Sequence, residues 1–241
     1  MNYRPKVLYI AFQQFLVQIY KDAMLIILCL APVLCGILFK YVLPIIEKIV
    51  NTYLPLSSIL QPYYLLFDLL LAMVTPLMYC FAAAYVILSE IDDGISRYLA
   101  VTPVGKKGYL ISRIGIPAFI SFLVSIITLY CFKLTDCSFP NIIGVCVITT
   151  LLGVVTALLI VSLSANKVEG MAVSKMTGLL SLGLPAPFFM NGTVQYALFF
   201  LPSFWLSKFA KEANIIYFLI GCLESLLWIY LLYSRFDKKI K

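Results

Sequence analysis

Histidine is absent from this chain of 241 residues, and charged residues make up only 12% of it. A soluble globular domain carries about 25% charged residues, so the shortage of charge argues against that class. Without histidine, a tight zinc or haem site is disfavoured, and so is an intramembrane protease that needs a histidine base or metal ligand. Seven cysteines are present, but no Cys-x-x-Cys pair occurs. Most of them lie in apolar stretches, as small buried hydrophobic residues do.

A phosphate-binding loop of the type Gly-x-x-x-x-Gly-Lys-Ser/Thr is also missing, because Gly105-Lys106 is followed by lysine and lacks the earlier glycine. We therefore expect this chain to bind no cofactor itself. The net charge is +7, but the basic residues flank apolar runs instead of forming one patch, so nucleic acid is not an expected partner. Arg4, Lys6 and Gln13 interrupt the first stretch, and we expect no cleavable signal there.

Long apolar runs are what the chain does contain: 63% of its residues are hydrophobic and its mean hydropathy is +1.01. A run of about 18 or more apolar residues is long enough to cross a bilayer as a helix. We predict an all-α integral membrane protein with a single transmembrane domain over 1–241. Its parts are an interfacial helix at 1–22 and six spans at about 23–43, 63–88, 110–132, 141–163, 171–190 and 213–233. The alternative for 1–22 is a cytoplasmic extension of the first span.

The stretch from Met176 to Ser207 contains 32 residues without a charge, too many for one span and too few for two spans with a turn. Three prolines and an Asn-Gly pair interrupt it. Its second half is aromatic, with Tyr196, Phe199, Phe200, Phe204 and Trp205. We predict that this half, before the last span, lies in the outer interface or re-enters the membrane.

The distribution of lysine and arginine predicts the orientation of the chain. With the spans above, thirteen of these residues fall on one side and five on the other. Because cytoplasmic loops carry the excess of positive charge, the side with thirteen is predicted to be cytoplasmic. Both termini and the loop after the second span then lie inside the cell, and the chain is a multi-pass protein of the cell membrane.

The loop after the second span has the densest charge in the chain, from Ser89 to Lys107. An acidic cluster precedes Gly94, and Pro103 ends the next stretch because the residue before a proline avoids the helical conformation. We predict a short cytoplasmic helix over about 95–102, with Tyr98 and Leu99 on its apolar side. This helix either packs on the base of the bundle or the lipid surface, or docks in a groove of a soluble partner.

This pattern resembles the type-2 ABC transporter permeases, in which an acidic stretch, a glycine, a coupling helix and a Thr-Pro-Val turn follow the second span. The matching positions are Glu90, Asp92, Asp93, Gly94, Leu99, Thr102, Pro103, Val104, Tyr109 and Leu110. The chain departs from the pattern at Ile95-Ser96, where the family often has threonine, and at Asp92-Asp93, where glutamate and a basic residue are common.

The resemblance implies a permease subunit that exports an amphipathic or hydrophobic compound, such as an antibiotic, a peptide or a lipid-linked molecule. A separate ATPase subunit would hold ATP and Mg, and a second permease, a copy or a paralogue, would complete the membrane part. The residues implied to contact the ATPase are Glu90, Asp92, Asp93, Gly94, Tyr98, Leu99, Thr102 and Pro103.

Two acids, Asp68 and Glu224, fall within predicted spans. Acids at membrane depth are costly and often line a substrate or ion path, so both are candidates for the substrate path. The alternative is that each pairs with a neighbouring group and only fixes packing. Two other classes of function stay open at this point: an ion-coupled secondary transporter that uses one of these acids, and a non-transporting membrane scaffold or immunity protein.

Overall fold

A computed structural model describes residues 5–53, 60–95, 105–190 and 192–239, and within these ranges the chain is helical, without strands. Its α-helices are α1 (Pro5–Lys21), α2 (Ala23–Ile37), α3 (Leu43–Tyr53), α4 (Tyr64–Asp92), α5 (Gly105–Leu110), α6 (Ile116–Phe132), α7 (Phe139–Leu163), α8 (Lys167–Thr177), α9 (Ala186–Phe189), α10 (Pro202–Glu212) and α11 (Ile215–Lys239). Nearly all of the predicted coupling helix, 96–102, lies outside the described residues.

Five helical runs are long and apolar enough to cross a membrane: Ala23–Tyr53, Gln61–Asp92, Gly108–Phe132, Phe139–Leu163 and Ile215–Phe236. They coincide with five of the six predicted spans. The predicted all-α integral membrane fold is confirmed.

Helices α4 and α7 form its centre, where a Cβ atom added at Gly153 would lie 2.9 Å from the carbonyl oxygen of Pro76. A small residue at this position lets the two helices approach closely.

The bundle has two ends, which we name after acids found there. At the Glu90 end, the Lys167 amide donates to Asp92 (2.9 Å), and its ammonium group contacts Asp22 (2.7 Å). The Lys239 ammonium group donates to the carbonyl of Val161 at the same end (2.6 Å). Helix α1 and the last described residues of the chain therefore lie at one end of the bundle.

At the opposite Asp68 end, the Lys40 ammonium group donates to the carbonyl oxygen of Cys131 at 2.6 Å. The Asp68 carboxylate accepts from the Leu134 amide at 2.8 Å. The chain reaches this end along α2, returns along α4, goes out along α6 and returns along α7. This alternation matches the order predicted for the first four spans.

The first long helix continues beyond its predicted end. The first span was predicted to end at about residue 43, but α3 carries the helix to Tyr53 after a π-helical turn at Leu38–Val42. This turn directly precedes Pro44, whose missing N–H interrupts the regular helical ladder. The Glu47 carboxylate on α3 accepts from the Gln61 amide at 3.2 Å and from the Tyr64 hydroxyl, which ties the extension to the start of α4.

The fifth predicted span, 171–190, is a broken helical segment instead of one long helix. It consists of α8, a 3₁₀ helix at Gly178–Gly183 and the single turn of α9. The break follows from its two glycines and from Pro185 and Pro187, which lower helical propensity. The segment still runs between the two ends of the bundle, because Lys167 lies at the Glu90 end and Phe189 stacks on Tyr63 at the Asp68 end, with ring centroids 5.1 Å apart.

The segment after Phe189 re-enters the bundle and returns. The Trp228 indole donates to the carbonyl oxygen of Phe200 at 3.4 Å. Trp228 is about 20 Å along α11 from its first residue, at roughly 1.5 Å per residue. Helix α10 then leads back to the Asp68 end, where the Lys211 ammonium group donates to the carbonyl oxygen of Pro187 at 2.8 Å. Of the two predicted arrangements, these contacts favour the re-entrant one.

Gly183→Ala is expected to loosen this re-entrant segment. A Cβ atom at Gly183 would lie 2.6 Å from the Phe204 amide nitrogen and 2.5 Å from the Ser203 hydroxyl, so a backbone must shift. Overpacking of this kind costs about 1–3 kcal/mol. The matched control is Gly178→Ala, where a Cβ atom meets nothing within 4 Å. We expect a lower melting temperature in detergent for Gly183→Ala and an unchanged or higher one for Gly178→Ala; equal melting temperatures would contradict the close contact.

Candidate functional site

A buried ion pair joins the two helices that flank the predicted coupling helix. Glu90 lies in the last turn of α4, and Arg113 lies in the π-helical turn Ile111–Gly115 between α5 and α6. The Arg113 Nη2 atom is 2.5 Å from Glu90 Oε1, and its Nε atom is 3.0 Å from each carboxylate oxygen. Both side chains are 1% exposed. Because the guanidinium group is planar and multidentate, this pair fixes both the position and the orientation of Arg113 relative to Glu90.

Neighbouring side chains complete the surroundings of this pair. The Tyr109 hydroxyl donates to Glu90 Oε2 at 2.8 Å, and the Gln18 amide donates to Glu90 Oε1 at 3.1 Å. The Arg113 guanidinium carbon lies 5.8 Å from the ring centroid of Phe15 and 5.9 Å from that of Tyr109. Such cation–π contacts stabilise a desolvated cation. Helix α1 is thus connected to the same cluster as α4 and α5.

Glu90 lies in a different environment from the one predicted for it. It was assigned to the surface that touches an ATPase, but its carboxylate is buried and bound within the chain. Its partners Arg113 and Gln18 were not among the predicted site residues. Tyr109 and Arg113 are four residues apart and share one helical face, a spacing that could have indicated a joint role. The ion pair itself joins residues far apart in sequence, which no local pattern reveals.

The other acids of the cluster lie on the surface at the Glu90 end. Asp92 and Asp93 are exposed, and Gly94 follows them with a φ of +70°. This left-handed conformation ends α4 and favours glycine. Asp92 accepts from the Lys167 amide, so its carboxylate also holds the start of α8 in place. The exposed Asp93 and the half-buried Gly94 are therefore the residues at which the chain leaves α4 towards the predicted coupling helix.

A second ion pair lies at the edge of this surface, next to α2. Asp22 caps α2 by accepting from the Met24 amide at 3.0 Å, and its other oxygen contacts the Lys167 ammonium group at 2.7 Å. The bond with Lys167 lowers the pKa of Asp22 below its ordinary value, against the opposing effect of desolvation. Asp22 therefore stays ionised at neutral pH. The predicted contact residues Tyr98, Leu99, Thr102 and Pro103 lie outside the described residues.

Asp68 is enclosed by a loop at its own end of the bundle. Its carboxylate accepts from the amides of Leu134 and Thr135 at 2.8 and 2.9 Å and from the Thr135 hydroxyl at 2.5 Å. The residue is 4% exposed. These donors satisfy the buried charge, which favours the packing interpretation of Asp68 over a place on the substrate path.

Glu224 has a different environment. It lies on α11 in an open groove with Phe200, Trp205 and Trp228. Its Oε2 atom is buried and has no hydrogen-bond donor among the residues that the structure describes. An acid near the middle of a spanning helix costs about 2.5–3.5 kcal/mol on insertion scales, so it is usually compensated. Asp68 and Glu224, the two predicted path residues, line different cavities.

Comparison with known proteins connects this architecture to export. Two curated relatives, Fluoroquinolones export permease protein MT2760 and Fluoroquinolones export permease protein Rv2686c, come from two strains of Mycobacterium tuberculosis, CDC 1551 / Oshkosh and ATCC 25618 / H37Rv. Each is 27% identical to this chain over 229 residues, which cover 91% of the chain and 90% of the relative. No solved structure matches the chain.

The family described as "Fluoroquinolones export permease protein Rv2686c-like" matches residues 15–233. The match begins at Phe15, beside the buried ion pair, and extends to Tyr233 on α11. It therefore includes the Glu90–Arg113 pair, the two acids at membrane depth and the re-entrant segment. In agreement with its resemblance to type-2 ABC permeases, the chain belongs to the Rv2686c-like family of export permeases.

Proposed function

We propose that this chain is the membrane subunit of an ATP-driven exporter whose ATPase is a separate polypeptide. The observation that carries the proposal is the buried ion pair between Glu90 and Arg113, 2.5 Å apart at the closest atoms. These residues are on the two sides of the predicted coupling helix. A force applied to that helix from outside the chain would move α4 and α6 together, because the pair does not allow them to separate.

The proposed ATPase contact is formed by the exposed Asp93, by Gly94 and by the predicted coupling helix, with Asp92 at its edge. Glu90 acts there as a positioning residue that holds the two flanking helices. ATP and Mg belong to the ATPase subunit. A second permease, a copy or a paralogue, completes the membrane part of the transporter. In this arrangement the Glu90 end, which carries most of the lysines and arginines, faces the cytoplasm of the cell, and so do both termini.

The proposed substrates are amphipathic or hydrophobic compounds, with fluoroquinolone antibiotics as the first class to test. This class comes from the names of the two mycobacterial relatives. The shape of the molecule supports a site for such compounds, because the groove beside Glu224 is open and its walls are mostly apolar. We propose that a compound dissolved in the bilayer enters this groove directly.

Transport in inverted membrane vesicles tests the proposal. The chain is produced together with a candidate ABC ATPase subunit from the same genome, and the uptake of a fluorescent fluoroquinolone is followed after ATP is added. We expect uptake that requires ATP, stops with orthovanadate and continues in the presence of an uncoupler. The ATPase should also co-purify with the chain in detergent. Uptake that is independent of ATP and abolished by the uncoupler would indicate a secondary transporter instead, and no uptake in any condition would indicate a scaffold or immunity protein.

A further inference from the structure

The groove beside Glu224 has the composition of a site for an organic cation. One wall is a single face of α11, formed by Ile220, Glu224, Leu227, Trp228 and Leu231. The spacing of these residues by three or four positions places them in one row along the helix. The other wall is the turn of the re-entrant segment, with Phe199, Phe200 and Trp205. The groove encloses about 480 Å³, within the range of small-molecule sites.

The aromatic rings of this groove are held in place by the backbone of the re-entrant turn. The Trp205 indole donates to the carbonyl oxygen of Phe199 at 2.7 Å, and the Trp228 indole donates to that of Phe200 at 3.4 Å. These are the two tryptophans of the whole chain. The Trp205 ring also packs against Phe204 and stacks on Tyr217, with ring centroids 5.2 and 6.0 Å apart. The part of Trp205 that lines the groove and the ring of Trp228 remain for contact with a ligand. Rings around a cation are a recurrent arrangement for recognition of ammonium groups.

Glu224 supplies the charge that such a ligand would balance. It lies nine residues after the first residue of α11, about 14 Å along a helix that rises roughly 1.5 Å per residue. That distance is close to the middle of a hydrocarbon core about 30 Å thick. The Oε2 atom of Glu224 is buried and lacks a donor among the described residues, and the carboxylate interacts with the Trp205 indole. Asp68, in contrast, has three hydrogen-bond donors.

We infer that the groove between α11 and the re-entrant turn binds amphipathic aromatic compounds that carry a positively charged group, with Glu224 as the counter-ion and Trp205 and Trp228 as the stacking surfaces. The inference rests on the proposed export function and adds to it the site and the charge of the substrate. A purely apolar ligand would leave the carboxylate uncompensated, and an anionic ligand would be repelled by it. A cation with a flat or multi-ring body satisfies the carboxylate and fills the apolar walls.

Binding of two ions of nearly equal size and opposite charge tests this inference. Tetraphenylphosphonium and tetraphenylborate are added to the purified full chain in nanodiscs, without an ATPase, and affinities are measured by equilibrium dialysis and by tryptophan emission. Binding to protein-free nanodiscs of the same lipid, which is stronger for the borate because of the interfacial dipole potential, is measured separately and subtracted. Both tryptophans line the groove, so emission reports directly on its occupancy. We expect the cation to bind and the anion to bind at least tenfold more weakly. Because no ATPase is present, failure of this test is separate from failure of the proposed ATP-driven transport.

Two variants locate the site. Glu224→Gln keeps the size of the side chain and removes its charge, and it should weaken binding of the cation at least tenfold while the anion binds no more weakly. Asp136→Asn, at an exposed acid in the loop between α6 and α7, is the matched control and should bind as the unmodified chain does. If Glu224→Gln binds the cation with unchanged affinity, or if the unmodified chain binds both ions equally, the inference is overturned.

A second pair of variants keeps the test decisive if Glu224→Gln does not fold. Leu227 lines the groove and is 57% exposed, so Leu227→Trp fills the groove without disturbing the core. Its neighbour Leu226 is 51% exposed and faces away from the groove, which makes Leu226→Trp the control. We expect loss of cation binding only for Leu227→Trp. If that variant binds normally and instead changes the size of the purified complex, the groove is an interface with a second copy and the inference fails.

Discussion

Arg113→Met is expected to reduce stability more than any other single substitution considered for this protein. The change leaves the Glu90 carboxylate buried at 1% exposure without its guanidinium partner. Breaking a buried pair by removing one member costs about 3–5 kcal/mol, because the remaining charge stays desolvated. For a chain of this size, that cost lowers the melting temperature by roughly 10 °C, measured by circular dichroism of the protein in detergent.

A double-mutant cycle measures the interaction between Glu90 and Arg113 separately from their contacts with other residues. Glu90→Gln alone should also destabilise the protein, whereas the combined Glu90→Gln and Arg113→Met variant should recover part of the loss, since no uncompensated charge remains. Lys175→Met, at an exposed lysine on α8, controls for removal of a positive charge and should leave the melting temperature unchanged. If Arg113→Met behaves like Lys175→Met, the buried pair does not hold α4 and α6 together.

The main features of the fold could be predicted from the sequence because they depend on local properties. A helix that crosses a bilayer needs about 20 apolar residues, so the long runs themselves predicted the five helices. Prolines and glycines predicted an interruption before the last helix. The re-entrant path of that region depends on contacts such as the bond from Trp228 to the carbonyl of Phe200, which join distant parts of the chain. The sequence left this choice between two arrangements open.

The site was less predictable for the same physical reason. Glu90, Asp92 and Asp93 look alike in sequence, but each step along a helix turns the side chain by about 100°, so only one of them points inward. That residue is Glu90, which meets Arg113 from the start of the next helix. Asp68 and Glu224 were also indistinguishable as acids within spans. Their difference arises from a loop at 133–135, which donates hydrogen bonds to Asp68 and not to Glu224.

The second large effect is expected from substitutions in the predicted coupling helix. It concerns assembly with the ATPase subunit instead of the stability of the chain. The chain leaves α4 at Gly94, and Pro103 limits the helix to about two turns over 95–102. The buried pair fixes residues before and after this segment, so a helix formed at 95–102 would be presented on a rigid base. We propose that its apolar side chains, Tyr98 and Leu99, bind in a groove of a soluble partner. Amphipathic helices that bind in such grooves do so through a few apolar anchor residues.

Leu99→Asp is therefore expected to abolish association with the ATPase while the chain still inserts in the membrane. An acid in place of an apolar anchor leaves a buried charge without a partner at the interface, and loss of one such anchor costs 2 kcal/mol or more, about a thirtyfold loss of affinity or greater. Association is measured by affinity pull-down of the tagged chain from detergent extracts, with the melting temperature and the amount in the membrane recorded in parallel.

Leu99→Met is the matched control for this substitution, because it keeps an apolar side chain of similar volume and should recover the ATPase as the unmodified chain does. Tyr98→Asp should act like Leu99→Asp if the two residues share one docked face. Full recovery of the ATPase with both aspartate variants would show that the segment does not bind the partner through its apolar side. In that case Asp93 and Gly94 would be the remaining part of the proposed contact, and the predicted helix would rest on the bundle or the lipid surface.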